Sequence, residues 1–160
     1  MNNASTENVA VLDEEMQLVV ARIFNECYGI PIIHVQEIIK PTEITPVPKM
    51  PDFLEGVINL RGKIVPVVDL YKHFRLGEKK VTDETRIIVS SISDQFVGLI
   101  VDAVSEVIRV PFDVMEPIPK AISTLDGQFV RGVAKVDKQL VIVLNLEKIV
   151  EDLEKKSKND

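Results

Sequence analysis

His34 and His73 are the chain's two histidines, and Cys27 is its one cysteine. An imidazole acts as base, proton shuttle or metal ligand only when a second polar group stands at a matching spacing. Neither histidine has a Cys, Asp or Glu placed in that way. His34 falls in an alternating stretch beside Val35 and is expected on a strand. His73 is expected in a short polar helix. Cys27 is expected at a hairpin turn, where the neighbouring Glu26 disfavours the thiolate. The glycines are dispersed, so no phosphate-cradling loop is present, and no Gly-x-Ser-x-Gly elbow occurs. The acids have ordinary places as well. Glu7, Asp13, Glu14 and Glu15 read as a solvated, flexible tail over 1–15, and Glu151, Asp152 and Glu154 as the outer face of a terminal helix. These residues predict a binding module rather than an enzyme, with no catalytic residue, no metal and no cofactor.

Composition narrows the partners. The formal charge is -6, and no basic run is interleaved with aromatics. Neither nucleic acid nor an anionic membrane surface is an expected partner. The N-terminus is polar and acidic, unlike a secretory signal, and no segment reaches the length of a membrane span. A single cysteine fits a reducing compartment. The cytoplasm is the expected location. Hydrophobic residues make up 46% of 160 but aromatics only 5%, so the core must rest on Val, Ile and Leu. Val and Ile favour strands.

The elements that must hold any site come in duplicate. Residues 18–39 align without a gap on 87–108: Val20 with Val89, Gly29 with Gly98, Val35 with Val104, Glu37 with Glu106. Residues 53–70 align in the same way on 129–146, with Phe53, Gly56, Val65 and Leu70 recurring as Phe129, Gly132, Val141 and Leu146. The joints Pro46-Val47-Pro48-Lys49 and Pro117-Ile118-Pro119-Lys120 are alike too. The chain therefore reads as one domain over 1–160 made of two units, about 17–76 and 86–150, each a hairpin, a Pro-rich crossing and a second hairpin. Turns are expected at Asn25–Gly29 and Ser93–Gly98, at Arg61-Gly62-Lys63 and at Asp137-Lys138-Gln139. Gly77–Thr85 is the expected connector. Short Val- and Ile-rich strands between turn signals suggest small barrels packed together.

Helix is sparse. Asp69 and Asn145 hold the same repeat position and each suits an N-cap. A short helix over Leu70–Leu76 and a longer one carrying Leu146, Ile149, Val150 and Leu153 are expected, with Lys155, Lys156 and Lys158 near its end. Pro66 stands where the other copy has Ile142. It donates no ladder bond, so it predicts a strand edge or a bulge.

Function should show where the copies differ. Copy one turns through Asn59-Leu60-Arg61-Gly62, and copy two through Lys135-Val136-Asp137-Lys138. Gly62 supplies positive φ, and Arg61 projects a planar fork suited to a carboxylate. The run Phe53-Leu54-Glu55-Gly56-Val57-Ile58-Asn59-Leu60-Arg61-Gly62-Lys63-Ile64-Val65-Pro66-Val67-Val68-Asp69-Leu70 resembles the signature of the CheW family of chemotaxis coupling proteins. The likeness extends from about Gln17 to Val150. It implies an all-β fold of two intertwined five-stranded SH3-like barrels with a C-terminal helix. It also implies a non-catalytic adaptor coupling transmembrane chemoreceptors to the histidine kinase CheA. Its partners would be the cytoplasmic helical tip of the receptor and the kinase's regulatory domain. On this resemblance Val35, Glu37, Ile38, Leu60 and Arg61 match receptor-binding positions. Lys40, Ile44, Glu55, Gly56 and Val57 are expected to face the kinase. Glu37 is the expected local partner of Arg61, provided that their strands lie side by side.

Overall fold

A computed structural model describes residues 15–117 and 129–158, with side chains through Lys155. The expected tail up to Glu14, the Ile118–Lys120 half of the second Pro-rich joint and the Lys156 and Lys158 side chains lie outside the described residues. Glu15, assigned to the tail by sequence, begins the first strand and pairs with Pro111.

The chain is mostly strand. Copy one forms β1 (Glu15–Ile23), β2 (Glu26–Pro31), β3 (Val35–Ile39), β4 (Leu54–Leu60), β5 (Lys63–Asp69) and the helix α1 (Leu70–His73). Copy two forms β6 (Arg86–Ile92), β7 (Gln95–Val101), β8 (Ala103–Pro111), the two-residue β9 (Met115–Glu116), β10 (Val130–Val136), β11 (Gln139–Leu144) and the helix α2 (Leu146–Lys158). Two mixed sheets result, ordered β8-β1-β2-β11-β10-β9 and β3-β6-β7-β5-β4.

These orders interleave the copies. Hairpin β1–β2 of copy one sits in a sheet with β10–β11 of copy two, and hairpin β6–β7 sits with β4–β5. The third strand of each copy crosses over: β3 pairs with β6, and β8 with β1. Glu37 lies opposite Val89, and Glu106 opposite Val20, which are the same repeat pair seen from the two copies. The backbone link from Asp69 N–H to the Phe53 carbonyl (2.8 Å) recurs from Asn145 to Phe129 (2.9 Å). The sixth strand of the first sheet is β9, and copy one has only the Thr45–Val57 bridge in its place.

Three apolar clusters follow from strand alternation. One lies inside the second sheet, built on Ile58, Val65, Val67, Ile87, Val89 and Ile100 with Ile39 and Leu60 against it. Its members come from both edge strands, so the sheet curls around it. The first sheet curls likewise around Met16, Leu18, Val110, Ala134, Val141 and Val143. The largest cluster lies between the sheets and takes the opposite faces of their strands together with both helices.

The structure corrects several local expectations. The first hairpins turn at Phe24-Asn25 and Ser93-Asp94, all four at positive φ, as a right-twisted two-residue hairpin demands. Gly29 and Gly98 are instead mid-strand, where β11 and β5 run alongside. A Cβ on Gly29 would lie 3.0 Å from Leu18 Cδ1 and Val141 Cγ1, and one on Gly98 2.9 Å from Ile87 Cγ2. Cys27 accordingly lies within β2 rather than at a turn. His34 is not on a strand, since Pro31 ends β2 and residues Ile32–His34 form a single 3-10 turn.

Pro66 is another correction. It lies in β5, an inner strand between β7 and β4. Counting from the Leu60–Lys63 pair at the turn, Val57–Pro66 is a non-hydrogen-bonded pair, so the proline nitrogen faces the β7 side. There the parallel ladder begins one residue later, at Val67–Gly98. In copy two the ladder runs through Val141 and Ile142. Each ladder has three pairs, so proline shifts where the ladder starts without breaking it.

Both N-caps form. Asp69 Oδ1 accepts from Tyr71 N (2.9 Å), and Asn145 Oδ1 from Lys148 N (3.3 Å). Helix α1 stops at His73 rather than Leu76, because Arg75 turns to φ +58 and Leu76 N–H closes back on the Tyr71 carbonyl.

Candidate functional site

The residue types able to do chemistry are held in packing roles. His73 is buried, with the rings of Phe53 and Phe129 edge-on at 4.5 Å each and Asp152 Oδ2 at 3.1 Å from Nε2. Helix α1 is therefore not polar on that side. His34 Nε2 lies 3.7 Å from Glu147 Oε2. Glu26, beside Cys27, accepts from the Tyr28 hydroxyl at 3.1 Å. Burial, reinforced by the Glu26 charge, pushes the Tyr28 phenol well above its usual value. Among the described residues, no three His, Cys, Asp or Glu side chains are grouped to hold a metal ion.

The Arg61 turn is a different kind of place. Arg61 and Gly62 both take positive φ, at 51° and 88°, and Asn59 Oδ1 accepts from Gly62 N–H at 2.9 Å. The tight turn leaves the Arg61 side chain 72% exposed while it grips Glu37. Nη1 donates to Oε1 at 3.3 Å, and Nη2 to Oε2. This fork-to-carboxylate geometry is the one guanidinium favours. The hydrogen bonds from Arg61 hold the Glu37 carboxyl below its usual range, against a smaller opposing effect of burial. The same hydrogen bonds raise Arg61.

The proviso about neighbouring strands fails, yet the pair forms. Glu37 is on β3 and Arg61 follows β4, the two opposite edges of the second sheet. Only the curl of that sheet brings them together. Of the other residues expected there, Ile38 is exposed at the edge. Leu60 packs toward the inner cluster, and Val35 against the core between the sheets. Sequence reasoning missed Ile64, which is 64% exposed on β5 opposite Asn59. Its place in the alternating run Lys63-Ile64-Val65 was the available signal.

The second expected set lies along β4. Thr45 makes two backbone hydrogen bonds to Val57, each 2.9 Å, and so lays the Pro-rich crossing onto the strand. A Cβ on Gly56 would stand 2.4 Å from the Thr45 carbonyl oxygen, so only glycine admits this crossing. Ile44 is half-buried against the inner cluster, whereas Lys40 is exposed. Glu55 accepts from Lys79 Nζ at 3.2 Å, and Lys79 also reaches the buried Asp69 at 3.0 Å. Burial works against the Lys79 ammonium, but the bonds and charges of Asp69 and Glu55 together outweigh it and raise its pKa. The connector 77–85 is thereby tied to β4 and to the N-cap of α1.

The duplicated, interleaved β fold thus places the Arg61–Glu37 pair at a sheet rim, with Ile38 exposed on the same edge strand. Residues 17–154 match the family profile of the CheW-like domain, and the chain belongs to that family. It is 32% identical to the chemotaxis protein CheW of Treponema pallidum over 88% of this chain and 85% of that one. It is 36% identical to the probable chemotaxis protein CheW of Rhizobium etli over 88% and 90%. It also resembles the crystal structure of the scaffolding protein TtCheW from Thermoanaerobacter tengcongensis, with a TM-score of 0.76 and 44% identity over 82% of this chain and 84% of that one.

Proposed function

We propose that this chain is a non-catalytic adaptor of bacterial chemotaxis that works in the cytoplasm and joins chemoreceptors to the histidine kinase CheA. Family membership supports the chemotaxis setting. The observation that carries the coupling role is the Arg61–Glu37 pair at the curled edge of the second sheet. The fold does not need a cation there, since Asp137 holds the same turn position in copy two at the same φ, 50° against 51°. The pair spends little on stability and presents donors at a rim. A helical receptor tip offers carboxylates and carbonyls to such a fork, and apolar side chains to Ile38 and its neighbours.

In this reading Val35, Glu37, Ile38, Leu60 and Arg61 form the receptor face. Ile38 and Arg61 make contact, while Val35 and Leu60 set the backbone from beneath. Lys40, Ile44, Glu55, Gly56 and Val57 form the kinase face, where the bonded Thr45 crossing keeps the surface pre-ordered and lowers the entropy cost of docking. No metal, cofactor or nucleic acid takes part. The test is a pair of titrations of the purified chain, one with a receptor tip fragment and one with the kinase regulatory domain. Saturable binding of both, simultaneously, is expected. Failure to bind either partner overturns the adaptor reading.

A further inference from the structure

Glu55, Lys79 and Asp69 form a chain of charges that runs from the surface into the core, with side chains 29%, 17% and 2% exposed. Lys79 Nζ donates to Asp69 Oδ2 at 3.0 Å and to Glu55 Oε1 at 3.2 Å. Asp69 Oδ1 accepts from Tyr71 N–H, so both oxygens of the buried carboxylate are engaged. Among the described residues, Glu55 Oε2 takes no hydrogen bond. The lysine comes from the connector, which turns at Arg75 (φ +58) and Gly77 (φ +103) and returns to β4.

The fold does not require these charges. At the same repeat positions copy two has Asn145 for Asp69 and Arg131 for Glu55. Asn145 caps its helix without a charge, its Oδ1 accepting from Lys148 N at 3.3 Å. Its backbone N–H bonds the Phe129 carbonyl just as that of Asp69 bonds Phe53. A neutral cap therefore suffices. The charge on Asp69 serves Lys79 instead, since an ammonium drawn out of water must be paired, and Lys79 in turn grips Glu55.

We propose that Lys79 is the positioning residue of the kinase face: anchored on Asp69, it fixes the Glu55 carboxylate as an acceptor for a lysine or arginine of the kinase regulatory domain. This rests on the kinase-face reading of β4. A free glutamate loses rotamer freedom when it docks, whereas one held through Oε1 has already lost part of it. Its open Oε2 then takes a charge-assisted bond from the partner at lower entropy cost. Gly56, next along β4, lies close under the Thr45 crossing, so backbone and side chain are both set. The three groups together carry one net negative charge, which favours a cation opposite them.

Removing Lys79 alone would strand the buried Asp69 charge, so the test changes both, Asp69→Asn with Lys79→Met. That pair reproduces the neutral cap of copy two and leaves the net charge of the group as it was. The natural chain and the variant are titrated with the kinase regulatory domain and, separately, with a receptor tip fragment. Kinase affinity should fall about fivefold or more, with receptor affinity and circular dichroism unchanged. Glu55→Gln in the natural chain should lose as much and should also flatten the salt dependence of binding. Adding Glu55→Gln to the double variant should cost little more, because Lys79 acts through Glu55. Natural kinase affinity in the double variant overturns the inference and leaves the adaptor reading standing, and so do losses that simply add. A natural chain that does not bind the kinase domain overturns the kinase-face reading, and this inference with it. Should the double variant not fold, Glu55→Gln decides: unchanged affinity and salt slope overturn the inference.

Discussion

Arg61 and Glu37 form a two-pronged ion pair although they stand at opposite edges of a five-stranded sheet. No ladder of the sheet joins β3 to β4. Strand twist accumulates across β6, β7 and β5 until the edges approach, and the apolar cluster enclosed between them sets the radius of the curl. The pair therefore reports on the geometry of the whole sheet, and its chemistry can be read separately from its contribution to the fold.

The first prediction concerns the charge on Glu37. Its folded-state pKa is lowered, so the carboxylate persists as pH falls past the ordinary range and is lost only on passing the depressed value. A carbon-detected NMR titration should find Glu37 titrating below the exposed glutamates of the chain. In Arg61→Ala it should rise to join them. An unchanged titration in the variant would mean that the hydrogen bonds to Arg61 are not what lowers it.

Arg61→Ala separates binding from folding. The side chain is exposed and its counterpart is an aspartate, so the melting temperature should stay nearly constant. Receptor-tip affinity should fall about tenfold or more if the fork is desolvated in the complex. Kinase binding should be retained. A sharp fall in melting temperature with intact receptor affinity would make Arg61 a structural residue.

Gly56 and Gly62 should respond differently to alanine. At Gly56 the new Cβ meets the Thr45 carbonyl oxygen at 2.4 Å and Ile44 Cγ2 at 2.8 Å. The crossing must move, at a cost of about 2 kcal/mol or more, and the Thr45–Val57 bonds should lose protection. At Gly62 nothing lies within 4 Å, and only the φ of +88° is strained. That change should cost about 1 kcal/mol. Chemical denaturation of the two variants ranks them, and equal losses would contradict the close crossing.

Tyr71 makes the fold sensitive to alkali. Burial, and then the hydrogen bond to Asp102 Oδ2 at 2.6 Å, raise its pKa from 10.0 to about 12. A phenol that is harder to ionise when folded stabilises the fold fully below pH 10, and that contribution fades as pH climbs toward 12. Stability measured across this window should decline. Tyr71→Phe should flatten the part of the decline due to this residue, while also costing the bond the hydroxyl accepts from Phe24 N–H (3.0 Å) and the one it donates to Asp102 Oδ2 (2.6 Å). An identical slope in the variant would assign the decline elsewhere.

The sequence by itself determined the duplication, the two N-caps, the Arg61-Gly62 turn and a core of aliphatic residues. Each is written in local spacing, which a single strand, turn or helix end reads without help. It also carried the resemblance that names the Glu37 and Arg61 positions. It did not determine which copy's strands share a sheet. Both copies have nearly the same apolar alternation, so pairing within or between copies satisfies the pattern equally, and only the packing of both faces chooses the exchange of β3 and β8. The tertiary structure likewise decided the role of Gly29 and Gly98, which read as turn residues until side chains of the neighbouring strands are seen to press against them. It placed Pro66 on an inner strand, because a proline is tolerated wherever a ladder ends and not only at an edge. It also buried His73 between Phe53 and Phe129, which are far from it and from each other in sequence. Contacts between distant segments depend on how sheets curl and stack, and no local pattern encodes that.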